Sequence, residues 1–302
     1  MQTYLPGPVA VSVPATSANL GPGFDSLGLA LELRDRVTAR VVGSGVEITV
    51  SGAGAGEVPM DESHLVYEAM CQAFDVMRCD PPGVRLHCEN VIPHGRGLGS
   101  SSAAIVAGIC AARALVAGGS LLMDDEAVFS LAASIEGHPD NVAPAFYGGF
   151  TIACADEKGY VATGVSVDPR VEVVVFVAPE PVETRLARGL LPDTVPHRSA
   201  AANAGRAALL VAALSRQPEL LFAATEDLLH QHYREPAMPE TTALLRTLRA
   251  DRVPAVVSGA GPSVLAFTDA SEKESLAARA PAGWHAFSLP VDRRGAVLDA
   301  GW

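Results

Sequence analysis

The chain reads Ile92-Pro-His-Gly-Arg-Gly-Leu-Gly-Ser-Ser-Ser-Ala-Ala104 about a third of the way along, and this stretch decides the fold. Glycines at 95, 97 and 99 lead into three serines and then into an alanine-rich run typical of a helix. Glycine lets successive backbone N–H groups face one anion, and a helix start adds its positive end. The stretch therefore predicts a phosphate-binding loop between a strand and a helix. A purely structural turn is the alternative.

Two further segments give this loop a context. Pro14-Ala-Thr-Ser-Ala-Asn-Leu-Gly-Pro-Gly-Phe-Asp25 lies near the start of the chain, and Ser258-Gly-Ala-Gly-Pro-Ser263 lies near its end. Together, in this order, the three motifs resemble those of the GHMP small-molecule kinases. Glu136-Gly-His-Pro-Asp-Asn141, Thr184 with Arg188, and Tyr233-Arg234-Glu235 resemble the branch of that family that phosphorylates the amino acid homoserine. The resemblance extends over nearly the whole chain.

The resemblance implies an α+β fold with two domains and an active site between them. The first domain, residues 1–155, would be ribosomal-protein-S5-like and carry the phosphate loop. The second, residues 156–302, would be ferredoxin-like and contribute to substrate binding. From the residue pattern alone we expect a hairpin of strands over 35–42 and 46–50 and a buried strand over 171–178. Helical spacing predicts helices over 199–214, 218–230 and 239–250.

Composition excludes some function classes. The chain has 302 residues, 49% of them hydrophobic, and a formal net charge of −12, which argues against nucleic-acid binding. Its two lysines, Lys158 and Lys273, lie outside the glycine loops, so a Walker-type loop is excluded. Recognition of a polyanion would then depend on backbone N–H groups, a helix end, Mg²⁺ and a few arginines.

Several features indicate a cytoplasmic protein that does not enter a membrane. No basic residue precedes Arg34, so we expect no secretory leader, and the apolar run over 103–119 contains Arg113. Five cysteines without a Cys-x-x-Cys pair suit reduced thiols. The sequence leaves the oligomeric state open, with a homodimer as one alternative.

The resemblance also implies which residues hold ATP and a metal ion. The expected ATP contacts are Pro93, Gly95, Arg96, Gly97, Leu98, Gly99, Ser100, Ser101, Ser102 and His64. Many relatives have asparagine where this chain has His64. Ser101 and Glu136 are the expected Mg²⁺ ligands, because hydroxyl and carboxylate oxygens suit that ion. The alternatives are a local hydroxyl bond for Ser101 and a solvated carboxylate for Glu136.

The expected acceptor is L-homoserine, whose ammonium and carboxylate need opposite charges. The expected substrate contacts are Asn19, Asp25, Asp140, Thr184, Arg188, Arg234 and Gly259. Asp140 and Asn141 are the expected catalytic pair, and Asp140 is interpreted as an anchor for the ammonium rather than as a base. Asp25 could instead form a turn. His138 is given a structural role only.

The resemblance thus implies transfer of a phosphoryl group from ATP to L-homoserine, on the route to threonine. One rival is a family member acting on another small alcohol, which would lack the amino-acid clamp of Arg188 and Arg234. The other is a catalytically silent protein of the same fold, which could lack Ser101 or Glu136.

Overall fold

The computed structural model describes residues 4–5, 7–157 and 159–299, so Lys158 lies outside the described residues. Its strands are β1 (Val9–Ala18), β2 (Leu27–Val42), β3 (Val46–Gly52), β4 (Gly83–Asn90), β5 (Phe150–Asp156), β6 (Gly159–Val165), β7 (Glu172–Val177), β8 (Ala255–Val257), β9 (Val264–Thr268), β10 (His285–Ser288) and β11 (Val297–Leu298). Its α-helices are α1 (Leu65–Val76), α2 (Ser100–Leu115), α3 (Gly119–Leu122), α4 (Asp125–Glu136), α5 (Pro139–Tyr147), α6 (Thr184–Gly189), α7 (His197–Ser215), α8 (Leu221–Ala224), α9 (Pro239–Ala250) and α10 (Lys273–Ala277).

These strands form two sheets, which confirms the α+β class. The larger sheet has the order β11-β1-β2-β4-β3, and β5 joins it by pairing with both β2 and β6. The smaller sheet has the order β10-β7-β9-β8 and is antiparallel throughout. The predicted domain boundary after residue 155 stays a prediction. Strand β6 follows that boundary in the chain, but it pairs with β5 and so belongs to the larger sheet.

The predicted hairpin between the second and third strands is wrong. Gly43-Ser-Gly45 does separate β2 from β3, but β4 pairs antiparallel with β2 over residues 36–42 and so lies between them. As a result β3 pairs with the other edge of β4, in parallel. An alternating pattern indicates that one face of a strand is buried, as Ile48 is, but it does not identify the neighbouring strand.

The smaller sheet is buried on both faces, as the apolar run over 171–178 predicts. Val173 and Val175 face the core shared with the larger sheet, whereas Val174 and Phe176 face a second core. This alternation follows from the two-residue period of a strand. The helix predicted over 218–230 is wrong beyond Ala224, because both carboxylate oxygens of Asp227 accept backbone N–H groups of residues 229–231 and hold a turn there.

The last described residues return to the larger sheet. Strand β11 pairs antiparallel with β1, and the Asp292 carboxylate forms an ion pair with Arg34 of β2. Asp292 is fully buried and also accepts the backbone N–H groups of Arg294 and Gly295. The C-terminal segment is therefore part of the first sheet. No helix among the described residues is long and apolar enough to cross a membrane.

Candidate active site

The glycine-rich stretch forms a tight loop between β4 and α2. Gly95, Gly97 and Gly99 all have positive φ, at 64°, 73° and 70°, a conformation that residues with a Cβ rarely adopt. Gly99 is the residue before the first turn of α2, which begins at Ser100. The loop thus has the strand-to-helix placement predicted from sequence, and the N–H groups at the start of α2 are available to an anion.

The three sequence motifs meet at this loop. Ser258 Oγ lies 2.7 Å from the Gly97 carbonyl oxygen and 2.8 Å from Ser17 Oγ. A Cβ on Gly97 would lie 2.2 Å from the Ser258 carbonyl oxygen. Only glycine allows this approach, so the positions of the loop and of the third motif depend on each other.

A cavity of about 220 Å³ opens beside the loop. Most of the residues expected from sequence line it, namely Asn19, Gly95, Gly97, Gly99, Ser100, Ser101, Glu136, Asp140, Asn141, Thr184, Arg188, Arg234 and Gly259. They come from all three motifs, from the end of α4, from the start of α5, from α6 and, for Arg234, from the 3-10 helix His232–Ala237. The structure therefore brings the predicted phosphate-binding and substrate-binding residues to one cleft, which we call the cleft cavity.

Four residues expected to contact ATP do not line the cleft cavity or the neighbouring cavity beside α1. Arg96 donates to the carbonyl oxygens of His94, Ala178 and Pro179, which ties the loop to the end of β7. Pro93 borders a groove on that side of the loop. Leu98 is buried, and so is Ser102, which lies in the first turn of α2.

His64 lines the second cavity, of about 290 Å³, which shares Ser100 and Ser101 with the cleft cavity. Its Nδ1 accepts the Val66 N–H at 3.3 Å and caps α1. Burial, helped by the charge of His94, lowers the pKa of His64, so the imidazole is neutral near pH 7. The buried carboxyl group of Asp35, which sequence reasoning missed, lines the same cavity.

Glu136 meets two hydroxyl groups at the end of α4. Ser101 Oγ and Ser102 Oγ donate to the same Glu136 oxygen, at 2.7 Å and 2.9 Å. The described residues contain no cluster of three or more His, Cys, Asp or Glu able to hold a metal ion. Mg²⁺ commonly uses one or two protein oxygens together with substrate phosphates and water, and this oxygen set fits that pattern.

The two predicted arginines have different surroundings. Arg188 forms a two-pronged ion pair with Asp25, at 2.6 Å and 3.0 Å. Arg234 is 1% exposed and forms no ion pair with the described residues. Its Nη1 donates to the Gly259 carbonyl oxygen, and its Nε has no hydrogen-bond partner there. Burial, with the charge of Arg188, lowers the pKa of Arg234 to about 10.

Two uncharged aromatic rings, those of His230 and Phe24, contact these arginines. His230 Nε2 lies 2.8 Å from the Gly21 carbonyl oxygen, so Nε2 carries the proton and Nδ1 accepts from Arg234 Nη1 at 3.1 Å. Burial lowers the pKa of His230, which keeps it neutral beside the guanidinium. The Phe24 ring lies 5.5 Å from the Arg188 guanidinium carbon and 5.6 Å from that of Arg234. Neither ring was expected to take part.

The expected catalytic pair lies in the first turn of α5. Asp140 is 2% exposed and its Oδ1 lies 2.8 Å from His138 Nδ1, while Asn141 Oδ1 accepts from Thr16 Oγ1 at 2.8 Å. Burial alone would lower the pKa of His138, but its hydrogen bond and charge interaction with Asp140 and the charge of Glu136 raise it overall. His138 lines the cleft cavity, and its place between Glu136 and Asp140 in the sequence could have signalled this.

Comparisons with known proteins agree over both halves of the chain. The family model described as GHMP kinases N terminal domain matches residues 64–149, and the one described as GHMP kinases C terminal matches residues 206–286. The first match includes the glycine loop, Glu136 and Asp140, and the second includes Arg234 and the third motif.

Individual relatives match nearly end to end. The chain is 55% identical over 290 residues to the homoserine kinase of Streptomyces coelicolor, covering 96% of this chain and 94% of that one. It is 56% identical over 292 residues to the homoserine kinase of Streptomyces avermitilis, covering 96% and 95%. The crystal structure of homoserine kinase from Cytophaga hutchinsonii superposes with a TM-score of 0.84 at 25% identity, covering 96% and 97%.

Proposed function

The chain belongs to the GHMP kinase family, and from this premise we propose that it transfers the γ-phosphoryl group of ATP to the side-chain hydroxyl of L-homoserine. The product would be O-phospho-L-homoserine, a precursor of threonine. Relatives that match almost the whole chain are homoserine kinases, and the cleft contains groups suited to both substrates.

Arg234 is the observation that carries the choice of an amino-acid substrate. A guanidinium that is 1% exposed and unpaired among the described residues is costly to keep, and a carboxylate ligand would compensate its charge. It lines the cleft cavity together with the glycines of the phosphate loop. A carboxylate held by Arg234 would therefore place the rest of the acceptor near the phosphates.

The residues that line both cavities support a specific position for ATP. Ser100 and Ser101 line both the cleft cavity and the cavity beside His64. We place the adenine ring of ATP in the His64 cavity and its phosphates against the N–H groups of the loop and of the first turn of α2. The γ-phosphate then points into the cleft cavity, toward the acceptor.

Mg²⁺ would be held by Ser101 and Glu136, and when bound it would neutralise phosphate charge. The protein groups do the positioning, which phosphoryl transfer with its loose transition state requires most. In this proposal Asp140 holds the ammonium, and Asn141 orients the attacking hydroxyl. A cytoplasmic location is supported by five free cysteines, and a homodimer stays a prediction.

The test is ADP release with L-homoserine, mevalonate, galactose and shikimate as alternative acceptors. We expect a strong preference for L-homoserine. Arg234→Leu should lower kcat/KM for L-homoserine at least about 30-fold while changing the KM of ATP less than about threefold, because loss of one partner of a desolvated charge pair costs about 2–5 kcal/mol. Arg185→Leu, which removes an exposed arginine of α6, is the control. Faster turnover of an uncharged alcohol would overturn the assignment.

A further inference from the structure

The side chain of Arg96 does not line the cleft cavity but borders the groove on the other side of the phosphate loop. All three nitrogens of its guanidinium donate to backbone carbonyl oxygens, Nε to Ala178 at 3.0 Å, Nη1 to His94 at 2.8 Å and Nη2 to Pro179. Three acceptors around one planar group match the fork of a guanidinium, and a lysine ammonium could not reproduce this arrangement.

Two of these carbonyl groups belong to residues 178–183, which connect β7 to α6 without forming a helix or a strand and which we call the connecting segment. Residues 179–181 are exposed, so burial does little to hold them. The Val182 N–H donates to the Gly95 carbonyl oxygen at 3.0 Å. Gly95 and Arg96 therefore attach the connecting segment to the phosphate loop near both of its ends.

The connecting segment leads into one wall of the cleft cavity. Val182, Glu183 and Thr184 line this cavity together with the glycines of the phosphate loop, and Thr184 begins α6. The loop is the expected place of the ATP phosphates, and this wall is part of the expected place of the acceptor. Arg96 thus connects the two sides between which a phosphoryl group would be transferred.

Other contacts hold the phosphate loop itself. The Gly97 carbonyl oxygen accepts from Ser258 Oγ at 2.7 Å, and the Leu98 carbonyl oxygen accepts the Thr16 N–H at 3.0 Å. These bonds come from the first and third motifs and do not involve the connecting segment. Removal of the Arg96 side chain should therefore leave the loop in place and change mainly the position of the connecting segment.

Phosphoryl transfer depends strongly on how donor and acceptor are aligned, and a misplacement of about 1 Å can cost about 100-fold in rate. We propose that Arg96 is a positioning residue, which sets the distance between the acceptor hydroxyl and the γ-phosphate by holding the connecting segment against the phosphate loop. Arg96 touches neither substrate in this arrangement. The inference rests on the proposed function and adds a residue that acts on the alignment of the two bound substrates.

The test is steady-state kinetics of Arg96→Ala in the full chain, with ATP and L-homoserine both varied. The kcat should fall at least about tenfold while each KM changes less than about threefold, because each substrate keeps its own contacts. Arg249→Ala is the matched control, because Arg249 also donates to two backbone carbonyl oxygens but does not line the cleft cavity. Its kcat should stay within about twofold of the wild type. Thermal unfolding should show that both variants are folded.

Guanidinium ions provide a second readout, which a mere loss of stability would not give. Guanidinium chloride, well below the concentrations that unfold the protein, should raise the kcat of Arg96→Ala at least about threefold, because the free ion can donate to the same carbonyl oxygens. Potassium chloride at equal ionic strength should not raise it. Neither salt should raise the kcat of Arg249→Ala.

Arg96→Lys extends the test to a variant that keeps a long stem and the charge. An ammonium cannot donate to three carbonyl oxygens in the plane of a guanidinium, so kcat should still fall at least about threefold with both KM values retained. A wild-type kcat in Arg96→Lys would show that the charge alone matters, and would contradict the inference.

The inference is also overturned if Arg96→Ala keeps the wild-type kcat, if Arg249→Ala loses as much, or if guanidinium restores nothing. A rise in the KM of ATP with kcat unchanged would make Arg96 a phosphate contact instead. Failure of the proposed function is a different result, namely a wild type that prefers another alcohol. The Arg96 and Arg249 variants are then compared with that alcohol as the acceptor.

Discussion

His138 Nδ1 lies 2.8 Å from Asp140 Oδ1, and this contact joins the residue before α5 to a carboxylate in its first turn. The imidazole is 15% exposed and also lies 3.9 Å from Glu136. These two carboxylates raise the pKa of His138 above its ordinary 6.5 despite burial. When it is protonated, His138 is therefore a counter-charge to Glu136 and Asp140.

This raised pKa predicts a pH-dependent contribution of His138 to stability. A folded-state pKa above the unfolded value stabilises the protein fully below the unfolded pKa, and the contribution is lost as pH rises through the folded pKa. His138→Gln should therefore lower the free energy of unfolding more at about pH 5.5 than at about pH 9. Urea unfolding measures this, with the exposed His87→Gln as the control. An equal loss at both pH values would contradict the prediction.

Asp140→Asn tests whether this carboxylate anchors the substrate. Asp140 is 2% exposed and faces the cleft, so removing its charge should weaken L-homoserine binding by about 2–5 kcal/mol and also slow turnover. Direct binding and steady-state kinetics should be measured together. Unchanged affinity with a collapse of kcat by several orders of magnitude would identify Asp140 as the base instead.

Glu136→Gln tests the metal site. The variant keeps the shape of the side chain and an acceptor for Ser101 and Ser102, but it removes the charge. The Mg²⁺ concentration for half-maximal rate should rise about tenfold or more, because Mg²⁺ prefers carboxylate oxygen. Glu126→Gln, in the first turn of the same helix, should leave it unchanged. A wild-type Mg²⁺ dependence in Glu136→Gln would refute the assignment.

Asp292→Asn tests the link between the C-terminal segment and the larger sheet. Because Asp292 is fully buried and paired with Arg34, the variant should lose about 3–5 kcal/mol of unfolding free energy. Asp299→Asn breaks an ion pair with Arg36 in which both partners are partly exposed, and should cost less than about 1 kcal/mol. Denaturant midpoints should separate the two variants. If both midpoints are equal, the Arg34–Asp292 pair is not a stability determinant.

The sequence predicted the conformation of the glycine loop better than it predicted which side chains form hydrogen bonds and ion pairs with each other. Glycine spacing indicated a loop between a strand and a helix at residues 95–99, and Gly95, Gly97 and Gly99 do adopt the positive φ values that few other residues adopt. The same spacing could not show that Arg96 is held by carbonyl groups, since two of the three carbonyls belong to the distant residues Ala178 and Pro179. Likewise, charge matching suggested Asp25 and Arg188 as substrate ligands, but only three-dimensional placement shows that they pair with each other.

Strand β11 has a consequence for how the protein is made. Residues 297–298 pair with Val11 and Ser12 of β1, so part of the edge of β1 is covered by residues that are synthesised long after it. Until residues 297–298 have been synthesised, this edge of β1 offers unpaired backbone groups to other chains. Nascent chains that stall before residue 290 would keep that edge exposed and also lack Asp292. The larger sheet is therefore completed only after β11 has left the ribosome.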